Sequence, residues 1–516
     1  MKLTQKTVSI RLILILGILI VLNLLIYRVY FRLDFTKDQR YTLNPVTKEL
    51  LSNLEAPVTI RAFISRDLPP DQARITQDFT DLLNEFESNG GGLVTYETFD
   101  PSEEENAPQP GPMGMNQQQQ QYPGFVVGVR EKDKVSQQIA YRGATILYKG
   151  QEDMVPVVNE QMNMEYELVK SIKKLTTAEK PKVGLIQGHG EPGQEQLAEA
   201  FQELGVLYEP DTLTLDNPQR WAEFKTLLLI GPKDSLPAEH LTQLDRFLQG
   251  GGRLFVGINA VDGDLQQQTG KLVNTGLTEW LQGKGVRVEK AFLTDNQCGA
   301  ISVQQRQGFF NMVRQVEFRY FPILQNYADH PITQGLGPML LPFASPLNVV
   351  VADSGLQSGV LAYSSELAGK MPAPMRFNLD LELNRQTWTF SESSLPVAAY
   401  VSGKLGGEAE ARLVVIGDGD FPLNQGQNPV QPPDNLNFLI NAVDWLTDDT
   451  GLIELRNEVA KVALIDKFTG TDDDGKRQLF KTAVFLLPIL VVLIFGVLRY
   501  QRRQARRRKW MEADYG

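Results

Sequence analysis

The sequence predicts an α/β protein whose folded bulk lies between two terminal transmembrane helices. Three observations carry this: an apolar run near each end of the 516 residues, an arginine-rich tail behind the second run, and apolar stretches alternating with amphipathic ones between them. At roughly 150 residues per domain the length allows about three domains. A hydrophobic content of 42% with 22% charged residues is the balance of a chain that buries a core. The net charge of −11 excludes a general nucleic-acid binder, because neutralising phosphates needs a basic face.

The first run, "RLILILGILIVLNLLIYRVYF" at 11–31, is as long as the ~20 residues that cross a hydrocarbon core. Lys2, Lys6 and Arg11 before it suit a signal peptide as well, but no small-x-small cleavage site follows, so the reading is an uncleaved anchor. The second, "LFKTAVFLLPILVVLIFGVLRY" at 479–500, holds a helix placed at 479–498, with Pro488 tolerable as a kink. Arg499, Arg502, Arg503, Arg506, Arg507, Arg508 and Lys509 follow it, and the positive-inside rule places them in the cytoplasm. Two crossings then put the N-terminus inside as well. The bulk is expected in the periplasm of a bacterial inner-membrane protein, and the lone Cys298, which excludes an intramolecular disulfide, does not contradict that.

The expected divisions are an N-terminus and helix over 1–32, a membrane-proximal α/β domain over 33–178, a larger α/β domain over 179–470, and a linker, helix and basic tail over 471–516. In the first domain, "PVTIRAFIS", the helical "DQARITQDFTDLLNEFESN" and "LVTYETFD" form a β-α-β succession. Residues 101–124 are polar, proline- and glutamine-rich, and are read as a disordered loop. "FVVGVR", "KVSQQIA", "TILYKG" and "MVPVV" then read as short strands, and "MEYELVKSIKKLTT" as a helix. From Lys180 the strands "KPKVGLIQG", "KTLLLIGP" and "RLFVGI" alternate with "GQEQLAEAFQELG" and "PAEHLTQLDRFLQGGG", the pattern of a mainly parallel sheet covered on both faces. "ARLVVIGDGDF" and the helical "NLNFLINAVDWLT" return to that sheet, after an insertion at about 294–408.

Ligands of such sheets meet the carboxyl ends of the strands. Two turns there carry polar side chains: "GHGEP" with His189 and Glu191, and "GDGDF" with Asp418 and Asp420. These four residues are the candidate ligand or partner surface. Catalysis by the His–Glu pair lacks a nucleophile, since no serine or cysteine sits at that turn. No metal site is expected, because His189, His240 and His330 lie far apart in the chain and no H-E-x-x-H is present. "GDLQQQTGKL" at 263–272 has six residues, not four, before Gly-Lys and a leucine in place of the hydroxyl, which excludes a phosphate loop and leaves ATP hydrolysis to another subunit. No cofactor is expected. Cys298 has no neighbouring histidine or x-x-Cys and reads as a buried or idle thiol.

Seven signposts appear in order between the two apolar ends: "LDFTKDQRYTLNPVTKELLSNL", "IQGHGEP", "LDRFLQGGGRLFV", "DHPITQGL", "ARLVVIGDGDF", "NFLINAVDWL" and "LIELR". Together they resemble the GldG-like auxiliary components of ABC transporters, over nearly the whole chain. The resemblance implies that the larger domain is of the class I glutamine amidotransferase type, and that the partners are an integral permease, a cytoplasmic ATPase and the lipid bilayer. Where that fold places its nucleophile, after "RLFVGI", this chain has "NAVDG". The expected function is therefore a non-enzymatic, membrane-anchored auxiliary subunit of an ABC exporter. A periplasmic hydrolase or amidotransferase-like enzyme and an envelope scaffold are the alternatives.

Overall fold

The computed structural model describes residues 42–457 apart from 67, 102–121, 132–133, 156, 159–162, 178, 308–309, 351–354, 378–387, 424–433 and 448–450, and beyond these residues 14, 17, 495–497 and 499–505. The chain forms two compact units, Met1–Val459 and Ala460–Gly516. Among the described residues of the second, 495–497 and 499–505 are helical. No helix among the described residues is long and apolar enough to cross a membrane, and the two apolar runs fall almost entirely outside those residues.

The first unit begins with α1 (Pro45–Ser52), started by Asn44, whose side chain accepts the amide of Val46. β1 (Val58–Ile64), α2 (Pro70–Asn89) and β2 (Val94–Phe99) form the expected β-α-β unit, with β1 and β2 parallel. Ile75, Phe79, Leu83 and Phe86 are the buried stripe of α2, at the three-to-four residue spacing that puts side chains on one helical face. β3 (Gly124–Glu131) opens inside the stretch read as loop, and residues 102–121 lie outside the described set. The two stretches read as separate strands are one, β4 (Lys134–Tyr148): its first half pairs with β3 and its second half lies between β1 and β5 (Gln151–Val155). α3 (Met164–Thr176) packs Tyr166, Leu168, Val169 and Ile172 into the same core.

Directly after α3 comes a second, eight-stranded sheet. Four of its five parallel strands are β6 (Lys182–Gln187), β7 (Glu209–Thr214), β8 (Phe224–Ile230) and β9 (Arg253–Gly257). Residues 193–197 form turns rather than helix, so α4 (Ala198–Leu204) is shorter than its sequence pattern. α5 (Ala238–Gln249) and α6 (Leu277–Gly283) cover one face of the sheet. The stretch read as an insertion at about 294–408 contributes strands to the sheet. A long hairpin of β10 (Cys298–Gln307) and β11 (Phe310–Leu324) is followed by β12 (Asn326–Tyr327), β13 (Gln357–Tyr363) and β14 (Pro396–Gly403), and the last three extend the main sheet antiparallel. β15 (Ala411–Ile416) joins them to β9, giving the order β12-β13-β14-β15-β9-β8-β6-β7.

α7 (Asn435–Thr447) lies on the opposite face with α4, and its Phe438, Leu439, Ala442 and Val443 are buried there. Successive residues of β9 serve the two faces: Phe255 packs with α7, while Leu254 and Val256 pack with α5 and α6. α8 (Leu452–Asn457) returns to the smaller sheet, where Leu452 and Leu455 join its core.

Candidate functional site

β7 leaves β6 toward one edge of the sheet, while β8, β9 and β15 build toward the other. The direction of winding therefore reverses between β6 and β8, and the crevice at such a reversal is where open α/β sheets bind ligands. The turn after β6 sits there. Gly188 and Gly190 adopt φ of +122° and +78°, values that a side chain resists, and so let the chain fold back over the strand end. The His189 carbonyl accepts the amides of both Lys233 and Asp234 at 2.8 Å, locking the turn after β6 to the loop after β8.

His189 is buried. Its amide donates to Glu191 Oε2 at 2.6 Å, and its Nδ1 lies 3.1 Å from Glu191 Oε1. On the other side of the ring, Nε2 lies 2.8 Å from Nδ1 of His240 in the first turn of α5, and His240 Nε2 lies 3.0 Å from Asp216 after β7. Far apart in the chain, these two histidines are neighbours in the fold. Fifty-one residues separate them in sequence, and the packing of α5 onto the sheet brings them together. His330 is elsewhere, against Tyr400 and Trp445, where burial pushes its pKa down to about 4.

At the end of β15, Asp418 is fully buried, with Oδ1 accepting the Asp420 amide at 2.8 Å and no partner at Oδ2 among the described residues. Burial first, and then the neighbouring Asp420 charge, hold its carboxyl well above the ordinary carboxylate range. Asp420 is also raised by burial, an effect opposed by the charge of Lys233 and by Asn259, whose Nδ2 donates to Asp420 Oδ2 at 2.9 Å. Asn259 Oδ1 accepts the Gly419 amide at 2.6 Å. The stretch "NAVDG" after β9 thus carries an asparagine that braces the neighbouring turn. Lys233 connects the two halves of the edge, since its amide bonds His189 and its charge acts on Asp420. The four residues expected from sequence all lie at the carboxyl ends of strands. His240, Asp216, Lys233 and Asn259 were not foreseen; Lys233 and Asn259 could have been found by their place just after an apolar strand.

Cys298 is half-buried and accepts a hydrogen bond from Arg319 at 2.8 Å. No group of three or more histidines, cysteines or carboxylates suited to a metal ion occurs among the described residues.

Because Asp418 is raised, the folded chain holds a proton there that the unfolded chain has released above the ordinary carboxylate range. The contribution of this group to stability is present at low pH and is lost as pH rises through the folded value. Asp418→Asn removes that loss while keeping an oxygen for the Asp420 amide. The variant is expected to be more stable than the native chain at about pH 8, with the difference shrinking toward about pH 4. Denaturant midpoints measured across that range check the sign.

The family described as an ABC-type uncharacterized transport system, that of ABC transport auxiliary proteins, matches residues 180–442, just over half of the chain. The chain belongs to this family. A domain of unknown function matches residues 37–147 of the same auxiliary protein, the stretch holding α1 to most of β4. An uncharacterized protein of Borreliella burgdorferi is 22% identical over 498 residues, covering 92% of this chain and 94% of its own. Among solved structures, the mmIFT52 N-terminal domain is 14% identical with a TM-score of 0.36, over 52% of this chain and 98% of that one. A ThuA-like protein of Parabacteroides merdae is 11% identical with a TM-score of 0.29, over 52% and 91%. At those scores neither likeness carries an argument. An auxiliary protein of an ABC transport system works in a system that also contains a permease and an ATPase.

Proposed function

We propose that this auxiliary protein is a non-enzymatic subunit of a GldG-like bacterial exporter, anchored in the inner membrane by helices at 11–31 and 479–498, with its α/β layers in the periplasm. The observation that carries the reading is the state of the strand-end row. His189, Glu191, Asn259 and Asp420 are engaged with one another or with backbone, and no serine or cysteine stands in these turns among the described residues. A base oriented in this way acts on a hydroxyl or thiol beside it, and these turns offer neither. Such an edge suits recognition of a ligand or of the permease, with amidotransferase-like architecture and without that chemistry.

Anchoring at both ends is supported by how the chain enters and leaves the first unit. In the first turn of α3, Glu165 accepts the Asn44 amide at 2.9 Å, and Asn163 donates to the Leu455 carbonyl at 2.5 Å. Residues 44 and 455 are therefore held at one place, by side chains two residues apart. The apolar side chains described in the two runs, Leu14, Phe495 and Val497, are more than half exposed, as groups meant for lipid would be.

The test is purification of the tagged full chain from native membranes in mild detergent. A permease and an ATPase identified in stoichiometric amount are expected. A stable solitary protein, or reporter fusions in the middle of the chain that are active on the cytoplasmic side, would overturn the reading.

A further inference from the structure

Glu191, His189, His240 and Asp216 form a single row of four titratable groups joined by three contacts of 3.1, 2.8 and 3.0 Å. The row runs from the interior to solvent: the side chains are 0%, 6%, 13% and 80% exposed in that order. The two rings cross at 87° with centroids 5.0 Å apart, close to the nitrogen separation plus the two ring radii. The nitrogens therefore face one another head on. A proton fits on that line, whereas a metal ion there needs about 2 Å to each nitrogen and would force the rings apart.

Counting hydrogens decides what the row holds. Each of the three gaps needs one proton to be a hydrogen bond. The two carboxylates bring none, and two neutral imidazoles bring one each. One gap is then left with two acceptors facing, either two imidazole lone pairs or an imidazole and a carboxylate. We propose that this row is a binding site for one proton, taken from solvent at the Asp216 end, and that it closes as a unit when that proton is bound. The closed row carries two carboxylates and one imidazolium. A second added proton has no gap to fill, because it would place two N–H groups face to face. Uptake is therefore one proton for the pair, not one for each histidine.

Occupancy of the row is linked to the rest of the strand-end edge, because the His189 carbonyl holds the amides of Lys233 and Asp234. The charged groups around it are Glu191 on the turn itself, Lys233 and Asp234 from the loop after β8, Asp216 from the loop after β7, and Glu239 beside His240 on α5. Asp234 Oδ2 lies 3.2 Å from where a side chain on Gly190 would begin. Lys233 is the one basic side chain among these.

The chain has three histidines, so ¹⁵N-histidine labelling of the full chain gives three imidazoles, and His330→Gln leaves the two of interest. Between about pH 8 and pH 5, where imidazoles exchange their charge, the His189 and His240 nitrogens are expected to shift together, reporting one proton for the pair. His240→Gln, whose amide can still donate to His189, is expected to abolish that joint transition. Asp216→Asn, at an exposed position that does not threaten folding, is expected to move it to lower pH. Independent titration of the two rings, no uptake at either, or a His189 response unchanged in both variants overturns the proposal.

Discussion

Gly417→Ala is expected to destabilise the protein by about 3 kcal/mol, the upper end for forcing atoms into a packed site. A Cβ on residue 417 would lie 2.0 Å from the Ser345 carbonyl oxygen and 3.0 Å from its carbon. Both are backbone atoms, and neither can swing aside. The Ser345 amide donates to the Gly417 carbonyl at 2.6 Å, and the Gly417 amide donates to the Val397 carbonyl at 2.9 Å, so residue 417 is pinned from both sides. Relief requires breaking one of these bonds at the point where β15 passes into the Asp418 turn. Gly283→Ala, at the end of α6 with nothing within 4 Å, is the control and is expected to change stability by less than about 1 kcal/mol. Thermal unfolding of the purified full chain, followed by tryptophan fluorescence, measures both. An equal response in the two variants would show that the close approach at Ser345 is relieved at little cost.

Phe255→Ala is expected to cost about 3–5 kcal/mol, from lost burial plus the cavity left behind. Phe255 is fully buried in the middle of β9, and its ring centroid lies 6.0 Å from that of Phe421, which in turn lies 5.9 Å from Phe438 of α7. The three rings join the central strand, the residue after the "GDGD" turn and the covering helix. Truncation therefore loosens the support under Asp418 and Asp420 as well as the core. Denaturant unfolding should show a lower midpoint with little change in slope. A loss below about 1 kcal/mol would mean that α7 collapses onto the space and that the rings are not the support described here.

Much of the fold was legible because its signals are local. β6, β8, β9 and β15 are apolar runs five to seven residues long, and α2, α3, α5 and α7 carry their buried residues at helical spacing, so period and length separate strand from helix. The amphipathic pattern overstated α4, because residues 193–197 make turns whose backbone bonds, Gln196 to Gly193 and Leu197 to Gln194, span three residues rather than four. β13 and β14 were hidden inside an apparent insertion. Nothing in "QSGVLAY" or "PVAAYVSG" states which strand each will pair with, and antiparallel addition at a sheet edge is a long-range choice.

At the candidate site the division is similar. "GHGEP" and "GDGDF" were found because glycine turns after apolar strands mark strand ends, and the ends of a parallel sheet share one edge. The partners of those turns were not found. His240 sits on a helix whose sequence shows only an amphipathic pattern, and Asp216 is an ordinary residue of a connecting loop.

The sequence by itself determined the α/β class, the parallel strands, the paired apolar ends and the glycine turns, because each follows from side-chain period, length or backbone freedom within some twenty residues. Only the tertiary structure decided that His189 meets His240, that Asn259 braces Asp420, and that one helix turn holds both Asn44 and Leu455. Those contacts depend on the order in which strands are laid into the sheet. Strand order is fixed by the sum of many burial and pairing energies across the chain, and no local stretch of residues encodes it.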